Sequence, residues 1–421
     1  MKHIFIKKPV LVGCISLVLY YAILEVYFVY FISVEYLRYE FFLNIDYGKY
    51  IETKIIFIVL LAYSIIISKT NEFIYSIFIF FLVFFLIPGL ITYSFSDRPA
   101  GPLYATIALQ LCIGAISSFK FNLPEIRTPQ LSYGTIMLLV GFAVLPVVLT
   151  FGMYFNLSNI VLEDVYRTRE LFSANSNLGI DYLYNWLVKA LIPLCMVFFL
   201  VHNRYRYAFV TFLLLFYLYI ISGNKIVYIT LFVMLFFYFV GRDHLEKTKY
   251  FLLVLIISLL VMPVVDYAFN THSLKGVFVM RMLFLPTQLN YFYFDLFEGH
   301  PLYFAESNFF KFFFTYPFER PVGYIISEIY FDASDMNANN GIISDGYMNL
   351  GYPGIVLNIL MVSLIFLFFK SSNPDPRYLG IFFVMIFLFL SAPLLSMFVT
   401  SGLWIVVFLS LTMMKRRKPA I

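Results

Sequence analysis

The chain has 421 residues; 62% are hydrophobic, only 13% are charged, and the mean hydropathy is +0.87. Soluble domains are about 45–50% apolar and about 25% charged, so an ordinary water-soluble enzyme is excluded, and 52 Phe with 34 Tyr exclude a disordered chain. The net charge of +5 matters less than how it divides across a membrane.

Read from its beginning, the chain carries Lys2, Lys7 and Lys8 and then an apolar run too long for a signal-peptide core and without a small-residue cleavage site. It reads as a first transmembrane anchor. A spanning helix needs about 20 mostly apolar residues, and the runs are continuous rather than alternating, which favours helices over a barrel. Spans are expected near 10–33, 53–68, 73–95, 100–119, 131–155, 182–202, 207–222, 226–241, 250–269, 348–369, 378–394 and 399–414. The fold class is thus an all-α polytopic membrane protein of about twelve helices, with residues 1–421 as one integral membrane domain. Cys14, Cys112 and Cys195 fall in apolar runs and read as small buried hydrophobes rather than a disulfide framework.

Orientation follows from Lys and Arg. With the N-terminus inside and twelve crossings, the short inner loops hold 17 of the 29 basic residues and 5 of the 24 acidic ones. The remainder is net negative, so both termini are expected in the cytoplasm. Residues 277–297 are nearly apolar enough to span, but carry Arg281, Pro286 and Asp295; an interfacial or re-entrant helix pair broken at Pro286 is expected there.

Two outer loops are long, about 156–181 and about 270–347, and long loops are usually functional or disordered. The larger one interleaves aromatic stretches such as NFFKFFFTYPF with His272, Arg281, His300, Glu306, Lys311, Arg320 and Asp345. Such a surface suits sugars, whose apolar faces pack on rings while charged groups bond the hydroxyls; it equally suits lipid headgroups. The smaller loop holds Glu163, Asp164, Arg167 and Arg169, either exposed charges or forked phosphate ligands. Lys225, in the outer turn Ser222–Lys225, is an interface anchor or a phosphate contact. Glu25 and Lys189 lie within spans, where charge is costly; Lys189 is read as close enough to an end to snorkel. There is no phosphate loop, HExxH or dinucleotide fingerprint, and the five His show no ligand spacing, so no metal or other cofactor is expected. No internal repeat of the inverted-transporter kind is visible.

The stretch NANNGIISDGYMNLGYPG (337–354) is the most specific. A polar, Asn-rich loop ends at Asp345 and enters a span through an N-x-G-x-x-G turn, Asn349 to Gly354. With the architecture, the segment YRTRELF (166–172) and the SGNK turn (222–225), it resembles the Wzy-type O-antigen or oligosaccharide repeat-unit polymerases. The resemblance implies a GT-C-like membrane glycosyltransferase of polysaccharide and lipopolysaccharide biosynthesis. Its donor and acceptor would be undecaprenyl-diphosphate-linked oligosaccharides on the outer face, within membrane lipid, with a chain-length regulator as a further partner and no nucleic acid. It implies that Arg281 and Arg320 act in catalysis, that Arg167, Arg169 and Lys225 bind diphosphate, that Asp345 accepts the acceptor proton, and that His272, His300 and Asn340 contact substrate. A lipid-linked oligosaccharide flippase or an O-antigen ligase are the competing readings.

Overall fold

The structure, a computed structural model, describes residues 6–121, 131–152, 156–161, 165–269, 273–307 and 312–416. Among these residues all regular structure is helical, and β pairing is limited to two isolated bridges. Eight helices are long and apolar enough to cross a membrane: α1 (Lys8–Glu35), α2 (Tyr47–Thr70), α3 (Glu72–Phe95), α5 (Tyr133–Phe151), α7 (Leu178–Val201), α8 (Tyr205–Ser222), α10 (His244–Ala268) and α14 (Tyr352–Ser372). The chain is an α-helical, membrane-embedded protein. The other four expected spans are shorter: α4 is Ala100–Ala115, α9 is Lys225–Phe239 and α15 is Pro376–Leu388. The last, expected over 399–414, is α17 (Leu403–Ser410), and a further short helix, α16 (Leu394–Val399), fills the expected turn before it. Gly402, whose φ of +77° suits glycine, caps the start of α17. Further helices are α6 (Val165–Asn175), α11 (273–296), α12 (Val322–Phe331) and α13 (Ile342–Leu350).

The helices divide between two compact units. The first comprises Met1–Phe119, His244–Leu367 and Ile386–Leu394; the second comprises Lys120–Asp243, Phe368–Met385 and Leu395–Ile421. In the first, α3 is the core: it has no polar face, and its whole apolar window is buried, as expected of a helix apolar on all sides. Polar side chains bond its backbone, as Tyr20 Oη does to Val83 O and Gln110 Nε2 to Phe78 O, and its few polar side chains, as Thr248 Oγ1 does to Ser76 Oγ. The stretch expected as a long loop, 270–347, is not a separate layer; α11 packs into this unit with Thr287–Leu289 and Tyr291–Phe294 buried.

Prolines inside these helices are handled in two ways: Pro146 of α5 and Pro263 of α10 stay within regular α-helix, whereas three others follow a widened turn. A mid-helix proline lacks an N–H and its ring collides with the carbonyl four residues back. In three helices the turn before the proline widens to π geometry: Leu82–Leu86 before Pro88, Leu187–Leu191 before Pro193, and Gly276–Phe284 before Pro286. Residues 277–297 therefore correct the expectation of a helix pair broken at Pro286. The chain stays helical through Phe284 and Leu285, and Pro286 sits in the first turn of the α segment that follows. Asp266 starts this helix, accepting from the Leu274 and Lys275 N–H groups.

The two charges within spans have different settings. Glu25 Oε1 receives Lys54 Nζ at 2.5 Å, and the ammonium lies over the Tyr21 and Tyr50 rings at 3.9 and 4.6 Å. Lys189 is the twelfth of 24 residues in α7 rather than near an end, about 17 Å from either terminus at 1.5 Å per residue. Its Nζ is 3.4 Å from Ser401 Oγ, in the segment between α16 and α17.

Removing one partner of the Glu25–Lys54 pair strands a charge in low dielectric, whereas removing both does not. Thermal melts of detergent-purified protein should show Glu25→Gln and Lys54→Met each less stable than the double variant. Additive losses would mean that the pair is not coupled.

Candidate functional site

In the first unit the NANNG run becomes a strap held at three points. The Ala338 N–H donates to Gly323 O, Tyr293 Oη donates to Ala338 O, and the Ile342 N–H donates to Phe389 O. Two glycines make this possible. A Cβ on Gly323 would meet Asn337 Oδ1 at 1.9 Å, and one on Gly341 would sit 2.7 Å from Leu390 O. Between the strap, α11 and the turn at 390–391 lies a cavity of about 150 Å³. Arg281, Asn337, Asn339 and Ser391 supply its polar lining; Pro286, Leu289 and Phe331 supply apolar walls. The Arg281 side chain is exposed, and among the described residues no carboxylate lies within ion-pair distance of it. Asn340 is 8% exposed and its Nδ2 has no hydrogen-bond partner.

Behind the strap, Asp345 ties three segments together. Its carboxylate accepts from Asn349 Nδ2 at 3.0 Å, from Asn358 Nδ2 at 3.2 Å and from the Leu394 N–H at 3.4 Å. It thus joins α13, α14 and the segment that forms the cavity's far wall. Asp345 is 5% exposed. Burial pushes its carboxyl up to about 6, with the Glu306 charge adding to the rise and the three donors opposing it. The N-x-G-x-x-G turn is explained by packing. Gly351 has φ +66°, and Gly346 and Gly354 lie so close that a Cβ on Gly354 would be 2.0 Å from Gly346 O. Only glycines let α13 and α14 cross at this distance, which brings Asn349 and Asn358 to the one carboxylate.

Glu306, named in the sequence only among many loop charges, lies close to this group. It is open to solvent on one side, its Oε1 accepts from the Val322 N–H at 3.1 Å, and burial on the other side raises its carboxyl above the usual range. Its charge also raises Tyr293, Tyr316 and Asp345. Nothing in the sequence separates Glu306 from its acidic neighbours, because its environment is made by Val322 on another helix. Arg98 is a second residue that sequence reasoning passed over. Its Nη2 donates to Glu40 O at 2.7 Å and Glu40 Oε2 at 3.2 Å, and the guanidinium lies 5.9 Å from the Tyr291 and Phe292 ring centres.

The remaining expected residues are dispersed. Arg320 is exposed and makes a 3.7 Å ion pair with Glu328, both side chains more than half exposed; such pairs contribute little. His300 is exposed on the turn after α11. His272, together with Glu163, Asp164 and Lys311, lies outside the described residues. Arg167, Arg169 and Lys225 belong to the second unit. There the segment 166–172 meets the turn 222–225: Arg169 Nε donates to Gly223 O at 3.0 Å, and Thr168 bonds Asn159, whose Nδ2 in turn holds Ile220 O. Gly223 has φ +61°, and a Cβ there would be 2.8 Å from Val165 O. Arg169 thus fastens α6 to the Ser222–Lys225 turn, while Arg167 is exposed and Lys225 opens α9. Among the described residues no group of three His, Cys, Asp or Glu side chains could hold a metal ion. No family model, no curated protein and no solved structure matches this chain.

The raised Asp345 carboxyl has a definite sign in stability. The unfolded chain releases this proton near 3.9, whereas the folded protein keeps it to about 6. The folded state is therefore favoured at low pH and loses, on the order of, 2–3 kcal/mol as pH rises from about 4 through 6. Melts of purified protein across this range should fall with rising pH, and Asp345→Asn should flatten part of that slope. An unaltered slope in the variant would remove Asp345 as its source.

Proposed function

We propose that the protein is a metal-independent membrane glycosyltransferase that polymerises undecaprenyl-diphosphate-linked oligosaccharide repeat units on the outer face of a bacterial inner membrane. On this reading the eight long helices and four shorter apolar segments make twelve crossings of a GT-C-like fold, with both termini in the cytoplasm. The observation that supports it most is the unpaired Arg281 guanidinium on a cavity whose opposite wall is an asparagine strap. Amide and guanidinium donors beside apolar walls suit a sugar ring attached to an anion.

In the proposed reaction, a hydroxyl of one lipid-linked repeat attacks the anomeric carbon of a growing glycan. The bond from that carbon to the diphosphate oxygen breaks, and its electron pair leaves with the lipid diphosphate. The transition state is oxocarbenium-like. Arg281 would stabilise the charge growing on the departing diphosphate; one such preorganised donor is worth about 100-fold or more in rate. Glu306 is better suited than Asp345 to take the hydroxyl proton, because Asp345 is enclosed and spends its oxygens on three donors. Asp345 is then a positioning residue that holds the cavity's far wall. Arg320 and His300, both exposed, would touch substrate only at the periphery, and Arg167 would offer a lipid diphosphate a contact on the second unit.

The test is the glycan ladder. Arg281→Ala should leave protein in the membrane at normal levels and lower polymerisation about 100-fold, with Arg281→Lys rescuing poorly because a point charge cannot make forked contacts. Arg320→Ala should have a smaller effect. A deletion strain that still attaches single repeats to its surface supports a polymerase, whereas complete loss of attached glycan points to a ligase. Unchanged glycan length in Arg281→Ala would falsify the assignment.

A further inference from the structure

Away from that cavity, the second unit carries an open apolar groove of about 510 Å³ along α5, closed on one side by Tyr207 of α8. Gly134, Met137, Leu138, Gly141, Phe142 and Leu145 line it. These positions recur every three or four residues, so they form one stripe of the helix. The two glycines deepen it: beside Gly141 there is open space, and the nearest atoms to a Cβ on Gly134 are 3.8 Å away. Leu138 is 66% exposed and Phe142 70%, on a helix with only 22% of its apolar window buried.

One end of the groove is charged. Tyr133, next to Gly134, carries the Arg204 guanidinium over its ring at 4.7 Å, and Arg206 lies one residue before Tyr207. Both arginines are exposed, and among the described residues neither has a carboxylate within ion-pair distance. From Gly134 to Leu145 the stripe is about 17 Å long at 1.5 Å per residue. One leaflet of a hydrocarbon core about 30 Å thick is about 15 Å deep. A slot one leaflet deep, with the Arg204 guanidinium held at its end on Tyr133 and Arg206 two residues further along the chain, has the dimensions and charge of a phospholipid.

We infer that this groove binds one anionic diacyl phospholipid, its phosphate at Arg204 and Arg206 and an acyl chain along Gly134–Leu145. The site does not depend on the glycosyltransferase reading. By the distribution of Lys and Arg it lies toward the inner leaflet, where anionic lipids attract basic side chains.

Native mass spectrometry of the full chain purified in detergent tests this, with phosphatidylglycerol, phosphatidylcholine or glycerol 1-phosphate added. One phosphatidylglycerol per chain should be retained at least tenfold more strongly than phosphatidylcholine, and glycerol 1-phosphate should not be retained. Arg204→Gln combined with Arg206→Gln should weaken retention at least tenfold. Gly141→Leu should also weaken it, since the new side chain enters the groove without meeting the protein. Equal retention of the two phospholipids, unaltered in either variant, would mean bulk lipid only and overturns the site. Glycerol 1-phosphate binding as well as phosphatidylglycerol, with no effect of Gly141→Leu, would mean a bare phosphate site and overturns it as well. Should the double variant not survive purification, Gly141→Leu and Arg206→Gln decide alone by the same reading.

Discussion

One buried carboxylate organises the polar end of the first unit. Asp345 receives donors from a side chain one turn along its own helix, from a side chain of the next helix, and from a backbone N–H near Leu394. The first two donors lie 4 and 13 residues along the chain and the third 49; without the carboxylate the Leu394 N–H would lose its acceptor and each amide one of its two, and a buried donor left unsatisfied costs more than the bond itself contributes. The arrangement also needs helices that nearly touch, which Gly346 and Gly354 allow. A cavity wall, a helix crossing and the end of an asparagine strap therefore depend on the same few atoms.

Much of the helical architecture was legible in the chain. Continuous apolar runs locate the long helices to within a few residues, because lipid leaves the backbone no alternative to a helix. The α8–α9 turn was also visible, since Gly223 and Asn224 are residues that stop and start helices. What hydropathy misjudged was proline. Pro286 was read as a break because a proline usually interrupts an α-helix, but the chain stays helical through a widened turn, and nothing in composition announces a π segment. The last expected span likewise shortens to α17, which starts after Gly402, whose backbone angle a hydropathy window does not see.

The site was legible in part. Arg281 and the asparagine run were singled out for their chemistry, and the fold gathers them around one cavity. Asp345 was singled out as well, yet its burial follows from α14 and the 390–394 segment, about 50 residues away in sequence at the farther of the two. Arg320 and His300 looked alike in sequence to Arg281 but lie exposed, because loop charges reveal their value only through what packs beside them. Glu306 and Arg98 stayed hidden for the same reason, their neighbours coming from other helices.

The widened turns set the direction in which side chains point. Each residue of an α-helix advances about 100° around the axis, and a π-turn accommodates an additional residue without lengthening the helix by a full step. Arg281 lies inside such a segment, Gly276–Phe284. Losing a single residue between Arg281 and Pro286 would swing the guanidinium, together with the part of the helix before it, by more than a quarter turn relative to Pro286 and Leu289. Length variation in this stretch would thus retune or silence the arginine while leaving hydropathy and helix content almost unchanged.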